Sequence, residues 1–207
     1  MDDDHDRGRK RAKDRGRKPV RPLDTAQLDA LALAYVARFA TSGGRLSDYL
    51  KRKIRERGWD DETAPDMPAL VERMVGRGYI DDAGFAQARG AGMMRRGYGA
   101  RRIAETLNRD GIAAPLVAQA SGSAHERRIA ALEFARRRRL GPFGPGSGGD
   151  SDSGDRDSGS RGLDPAVRAR QVAAMLRAGH PFATACALID AADGNAAQEW
   201  VDEVDDS

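Results

Sequence analysis

Apolar residues along this chain recur at helical rather than strand spacing. After Asp24, whose carboxylate suits the capping of free backbone amides, Leu28, Leu31, Tyr35, Val36 and Phe39 fall on one helical face. This predicts a first helix ending before Gly43 and Gly44. A second presents Leu46, Tyr49, Leu50 and Ile54 on its apolar face, with Lys51, Arg52, Lys53, Arg55 and Arg57 elsewhere around it, and stops at Gly58. A third, over about residues 68–77, buries Leu70, Val71, Met74 and Val75 and stops at Gly78. No β-type alternation of useful length occurs, so the pattern predicts an all-α fold.

The stops share a form: a polar or basic turn, then glycine, then a large side chain, as in Gly58-Trp59, Gly78-Tyr79, Gly97-Tyr98 and Gly111-Ile112, with Gly179-His180 a weaker case. Glycine accepts the left-handed conformation that ends a helix, and the next apolar residue is expected to fold back on the last turn. Aligning Gly58-Trp59 with Gly111-Ile112 gives an offset of 53 residues that also superposes Leu50 on Ile103 and Ile54 on Leu107. A third unit follows if 125–140, 165–178 and 182–192 are its helices. Short helices unable to bury their faces alone would then stack as three tandem three-helix modules.

Composition sets the boundaries. With 40% hydrophobic, 5% aromatic and 32% charged residues, thin modular packing is expected rather than one thick core. Residues 1–22 hold almost nothing that can be buried and form a disordered basic arm. Modules occupy 23–77, 78–122 and 123–193. The third carries a Gly, Ser and Asp-rich flexible insertion at 141–163, after which Asp164-Pro165 restarts a helix. Residues 194–207 read as a frayed acidic tail that Trp200 and Val201 can tack down by one turn.

The formal charge of +3 conceals an asymmetry. Residues 1–22 carry nine basic and five acidic side chains, and 23–140 carry twenty-one and fifteen. Residues 141–163 carry two and four, and 164–207 three and eight. A basic body favours a polyanionic partner; an acidic end is repelled by nucleic acid and suits a basic protein surface. The single Cys186 excludes an internal disulfide and fits a reducing, cytoplasmic location, as a small buried apolar residue. Neither a secretory signal nor a membrane span is expected.

Site chemistry is sparse. His5, His125, His180 and Cys186 lack zinc-site spacing, and no metal or other cofactor is expected. Asp81 and Asp82 precede the helix that opens at Phe85 and read as its cap. RRGYGARR at 95–102 lacks the lysine and hydroxyl of a phosphate-binding loop, and no strand precedes it. Gly97 there ends one helix and Gly99 lets the next begin tightly, while the flanking guanidiniums can clamp phosphates or carboxylates. No nucleophile has a base beside it, so the chain reads as non-enzymatic.

GYIDDAGFA at 78–86 and RRGYGARRIAETLNRDGI at 95–112 closely resemble the central signature of the RecX regulatory proteins. The resemblance extends from about Asp24 to Ala192, with LSDYLKRKIRERGW at 46–59 and AAMLRAGHPFATACALI at 173–189 as the flanking segments. Its motif residues here are Gly78, Tyr79, Ile80, Asp81, Asp82, Phe85, Gly97, Gly99, Ile103, Leu107, Gly111 and Ile112, mainly structural. The resemblance implies an elongated, curved monomer that binds RecA and the RecA–DNA filament and restrains strand exchange, ATP hydrolysis and the coprotease function of the SOS response. Ala100 stands where the motif commonly has proline, which implies a less rigid helix start, and Gly90, Ala91 and Gly92 replace bulkier side chains.

Candidate contacts to RecA or to DNA phosphates are Lys51, Arg52, Lys53, Arg55, Arg95, Arg96, Arg101 and Arg102. Two other readings use the same surface: a stand-alone helical DNA-binding protein, and a scaffold whose concave face holds another protein. The helices lack an obvious base-recognition surface, which weighs against the former.

Overall fold

The computed structural model describes residues 21–144 and 163–203. Most of the expected basic arm and acidic insertion, and the last four residues, lie outside the described residues. The described chain is all-α, with a single isolated β-bridge between Leu23 and Trp59. It divides into two compact units, Met1–Ile80 and Asp81–Ser207.

The first unit contains α1 (Thr25–Val36), α2 (Gly43–Arg57) and α3 (Met67–Gly76). Asp24, Ser42 and Asp66 cap them, each side chain accepting an amide from the first turn. Leu23, Leu28, Ala32, Leu46, Leu50, Met67, Leu70, Met74 and Ile80 form the core. Two expectations for this unit are corrected. Phe39 is 56% exposed because α1 ends at Val36, before the ring can join the apolar face; it lies instead against Tyr35, ring centroids 5.2 Å apart. Val75 is 45% exposed, since Leu70 and Met74 already fill the buried stripe of the short α3.

The second unit holds two cores. Helices α4 (Asp82–Arg95), α5 (Ala100–Arg109) and α6 (Ala114–Ala120) enclose Ala86, Met93, Ile103, Leu107, Ile112, Val117 and Ala120. Helices α7 (Ala124–Arg138), α8 (Pro165–Arg177), α9 (Phe182–Ile189) and α10 (Gly194–Asp202) enclose a second cluster centred on Ala131, Met175, Leu188 and Val201. Asp81 caps α4 through a 2.9 Å bond from the Gly84 amide. Ser123 and Glu126 close a capping box on α7. Asp164 caps α8, with Pro165 in its first turn.

The glycine stops have a common geometry. Gly58, Gly78, Gly97, Gly111 and Gly179 have φ between 73° and 96°. After the last four, the following amide returns to the last helical turn: Tyr79 to the Met74 carbonyl, Tyr98 to Met93, Ile112 to Leu107 and His180 to Met175, at 3.0–3.2 Å. Burial does not always follow. Ile112 is 5% exposed, but Tyr79 is 50% exposed and its neighbour Ile80 takes the core position instead.

Three further corrections concern the C-terminal half. Residues 194–202 are not frayed: Asp193 accepts the Asn195 and Ala196 amides at 2.9 Å, and Ala197 and Val201 are fully buried. Both ends of the expected insertion at 141–163 are structured: Gly141–Phe143 forms a 3₁₀ turn, and Phe143 and Leu163 pack on the core. Cys186 is only partly buried.

Candidate functional site

Within the second unit, the turn between α4 and α5 lies against the turn between α8 and α9. The Gly99 amide donates to the Ala178 carbonyl at 2.9 Å, Arg101 N–H to the Gly179 carbonyl at 3.3 Å, and His180 Nε2 to the Gly97 carbonyl at 3.0 Å. A Cβ on Gly99 would stand 2.4 Å from Gly179 backbone atoms, and one on Gly179 would stand 2.5 Å from the Arg102 nitrogen. Only glycine at both positions permits this approach. The joint also explains how α5 begins without proline or a side-chain cap: the Gly179 carbonyl takes one of its opening amides. Burial pushes the His180 pKa down, partly offset by the Gly97 carbonyl, and leaves the ring a neutral Nε2–H donor.

The proposed basic contacts divide between the units. On α2, Lys51, Arg52 and Arg55 are exposed and Lys53 is half-buried. Lys53 pairs with Glu56 at 2.6 Å, and both Lys53 and Arg52 lie over the Tyr49 ring, which stacks on Tyr35 at 4.3 Å. The Lys53 bond and the surrounding cations lower the Glu56 pKa. The freest charges of this helix are therefore Lys51 and Arg55.

In the second unit, Arg95 and Arg96 end α4 and Arg101 and Arg102 open α5, all four exposed. They are not equivalent. Arg101 donates from Nη2 to the Leu176 carbonyl at 2.6 Å and faces Glu105 at 3.4 Å, so it belongs to the joint. Among the described residues, the Arg102 side chain faces only the same Glu105, at 3.9 Å. The Arg95 carbonyl accepts from Arg137 at 2.6 Å, tying α4 to α7. Among the motif residues, Ile103 and Leu107 are fully buried and Phe85 packs on the same core.

Sequence reasoning passed over Arg127 and Arg128, which share a cleft of about 410 Å³ with Arg101, His180, Pro181 and Thr184. Arg127 Nε donates to the Ser121 carbonyl at 3.1 Å; Arg128 donates to the Trp200 carbonyl and lies 4.1 Å from its ring centroid. The available signal was an Arg-Arg pair one turn into a helix opened by a capping box. Two further packing features were also missed. Arg89 pairs with Asp110 at 2.6 Å across the middle module. A Cβ on Gly90 would stand 2.2 Å from the Ala120 carbonyl oxygen, so the small residue there is what lets α4 and α6 cross. Among the described residues no group of three or more His, Cys, Asp and Glu is placed to hold a metal, and no helix is long and apolar enough to cross a membrane.

Small cores of three or four short helices, arginine-flanked helix ends and glycine-mediated close approach define an all-helical protein of the small-module type. The model of the second three-helix domain of RecX matches residues 81–120, which are α4 to α6 with the Asp81 cap. The Regulatory protein RecX of Myxococcus xanthus is 31% identical over 194 residues, covering 88% of this chain and 95% of that relative. The chain belongs to the RecX family of regulatory proteins.

Proposed function

We propose that this protein is a non-enzymatic regulator that binds RecA and the RecA–DNA filament and restrains recombinase, ATPase and coprotease activities in DNA repair and the SOS response. The observation that carries this reading is the near full-length relationship to a regulatory RecX protein. It is supported by the match of the middle module, the segment on which the glycine joint and four of the candidate arginines lie. A regulator of this kind needs shape and charge rather than a reacting group. Exposed guanidiniums at helix ends supply directional donors to carboxylates and phosphates.

The charge arrangement separates contact residues from joint residues. Lys51, Arg55, Arg95, Arg96 and Arg102 are the proposed contacts, because their side chains are exposed and the fold engages them least. Arg101, Lys53 and Arg52 act in part by holding the modules and Tyr49 in place. The test is RecA-promoted strand exchange with wild type and with the Arg96→Glu, Arg102→Glu double variant. Wild type is expected to inhibit below the RecA concentration, and the double variant to inhibit less at unchanged thermal stability. Inhibition by the variant equal to wild type removes both residues from the contact; no inhibition by folded wild type removes the proposed function.

A further inference from the structure

We infer that the acidic segment following α10, with Glu203, Asp205 and Asp206, docks in the arginine-lined cleft between α5, α7 and the start of α9, so that the protein carries its own occupant for that cleft. The inference goes beyond the function proposed above: it concerns the second unit of a single chain and is tested without RecA.

The cleft has the charge for a carboxylate-rich ligand. Its volume is about 410 Å³; Arg101, Arg127 and Arg128 line it, and none of the described lining residues is a carboxylate. Each guanidinium is oriented by a neutral backbone acceptor: Arg101 by the Leu176 carbonyl, Arg127 by the Ser121 carbonyl and Arg128 by the Trp200 carbonyl. A cation fixed by a carbonyl keeps its charge, whereas one fixed by a carboxylate loses most of its outward field. Of the three, only Arg101 has a described carboxylate within ion-pair distance, Glu105 at 3.4 Å. Helix α9 opens with no side-chain cap, which adds partial positive charge beside Pro181 and Thr184.

Helix α10 delivers the acidic segment to this cleft. Besides donating to the Trp200 carbonyl, Arg128 lies 4.1 Å from the Trp200 ring centroid, so the last turn of α10 is fixed to a wall of the cleft. Val201 is fully buried, and Gln198 donates to both carboxylate oxygens of Asp202 at 3.0 and 3.2 Å, which secures the helix end and engages that acid. Glu203, the next residue, is exposed, and Val204, Asp205, Asp206 and Ser207 follow it without a basic side chain among them. Four extended residues reach about 13–14 Å, enough to lay both aspartates across a cleft of this volume. So short a tether holds the carboxylates at effective concentrations in the millimolar range, which favours this segment over an acidic partner from solution. A partner carboxylate gains the three guanidiniums only by displacing it.

The test is zero-length cross-linking of the full-length protein with a water-soluble carbodiimide, which joins an amine to a carboxylate in contact with it. Residues 81–207 contain no lysine, so Arg127→Lys keeps the charge and places one reactive side-chain amine in the second unit. Mass spectrometry of the monomer is expected to find residue 127 joined to Glu203, Asp205 or Asp206, with a yield that falls as salt rises. Arg109→Lys, exposed at the opposite end of α5 and about 12 Å along the helix from Arg101, is expected to give little of that product. Circular dichroism establishes that each variant is folded, and Arg101→Lys supplies a second amine in the cleft. Absence of the product from both cleft variants, or an equal yield from Arg109→Lys, overturns the docking. A product formed only between isotopically labelled and unlabelled copies overturns it in favour of exchange between two molecules. A second measurement is the anisotropy of a fluorescein-labelled hexa-aspartate peptide. The Glu203→Gln, Asp205→Asn, Asp206→Asn variant should bind it about 2- to 30-fold more tightly than wild type, the range for two exposed ion pairs removed from competition. Asp60→Asn, Glu62→Gln, Glu72→Gln makes the same charge change on exposed residues of the first unit and should gain less; an equal gain shows a general charge effect and overturns the docking.

Discussion

Gly99→Ala isolates the joint between the two cores of the second unit. Gly99 has φ −79° and ψ 163°, a conformation that alanine adopts freely, so the substitution adds no backbone strain. Its effect is steric: the new Cβ would stand 2.4 Å from the carbon and oxygen of Gly179 and 2.6 Å from the His180 nitrogen, all backbone atoms without a rotamer to change. Relief requires the two turns to separate. That weakens the Gly99–Ala178, Arg101–Gly179 and His180–Gly97 bonds and the Arg101 bond to Leu176. With each hydrogen bond contributing about 1 kcal/mol net, partial loss of the four together with the overpacking strain costs about 2–4 kcal/mol. For a unit of this size the melting temperature should fall by roughly 8–16 °C in differential scanning calorimetry. Gly92→Ala is the internal control. It lies within α4, and its Cβ would meet only Arg95 Nη2 at 3.8 Å, so the ordinary gain of alanine over glycine in a helix, about 0.5–1 kcal/mol, should raise the melting temperature. A Gly99→Ala protein as stable as wild type, or a Gly92→Ala protein equally destabilised, refutes the close-approach argument.

Three other outcomes follow from the packing and electrostatics. His180, held neutral mainly by burial, takes up protons less readily in the folded chain than in the unfolded one. Stability should therefore fall as pH drops below about 6.5, the unfolded value, toward the lower folded value, and His180→Gln should flatten that part of the urea-denaturation profile; an identical acid limb in the variant refutes this. Val201→Ala removes two fully buried methyl equivalents from the α10 contact and should cost about 2 kcal/mol in chemical denaturation, whereas a frayed tail would show almost none. Asp110→Asn leaves half-buried Arg89 without its 2.6 Å partner and should destabilise the second unit by about 1–2 kcal/mol, with an Arg89→Gln, Asp110→Asn double-mutant cycle giving strong non-additivity; additive losses would show that the pair contributes nothing.

The features legible in the sequence are those that act within one or two helical turns. Asp24, Asp81 and Asp164 are caps because a carboxylate reaches amides two or three residues onward, and the glycine stops depend only on their own backbone. What was not legible depends on residues distant in the chain. Gly97 and Gly99 are separately readable as stop and start, but their approach to Gly179 joins segments about eighty residues apart. The same contact sets Arg101, whose guanidinium is hydrogen-bonded to the Leu176 carbonyl, apart from Arg96 and Arg102, although all three side chains are exposed. Helix α10 had a local signal that its acidic surroundings masked: the Asp193 cap and the i,i+4 pair Ala197 and Val201. Tyr79 and Phe39 show the reverse error, large aromatic residues assigned to cores that smaller neighbours already fill.

Restraint of the RecA filament, proposed above for this RecX-family protein, can be read directly. The most direct measurement is the rate of ATP hydrolysis by RecA on single-stranded DNA as this protein is added below the RecA concentration. Hydrolysis is expected to fall at substoichiometric protein, and to fall less with the Arg96→Glu, Arg102→Glu variant. An unchanged rate with folded wild-type protein up to equimolar RecA would contradict it.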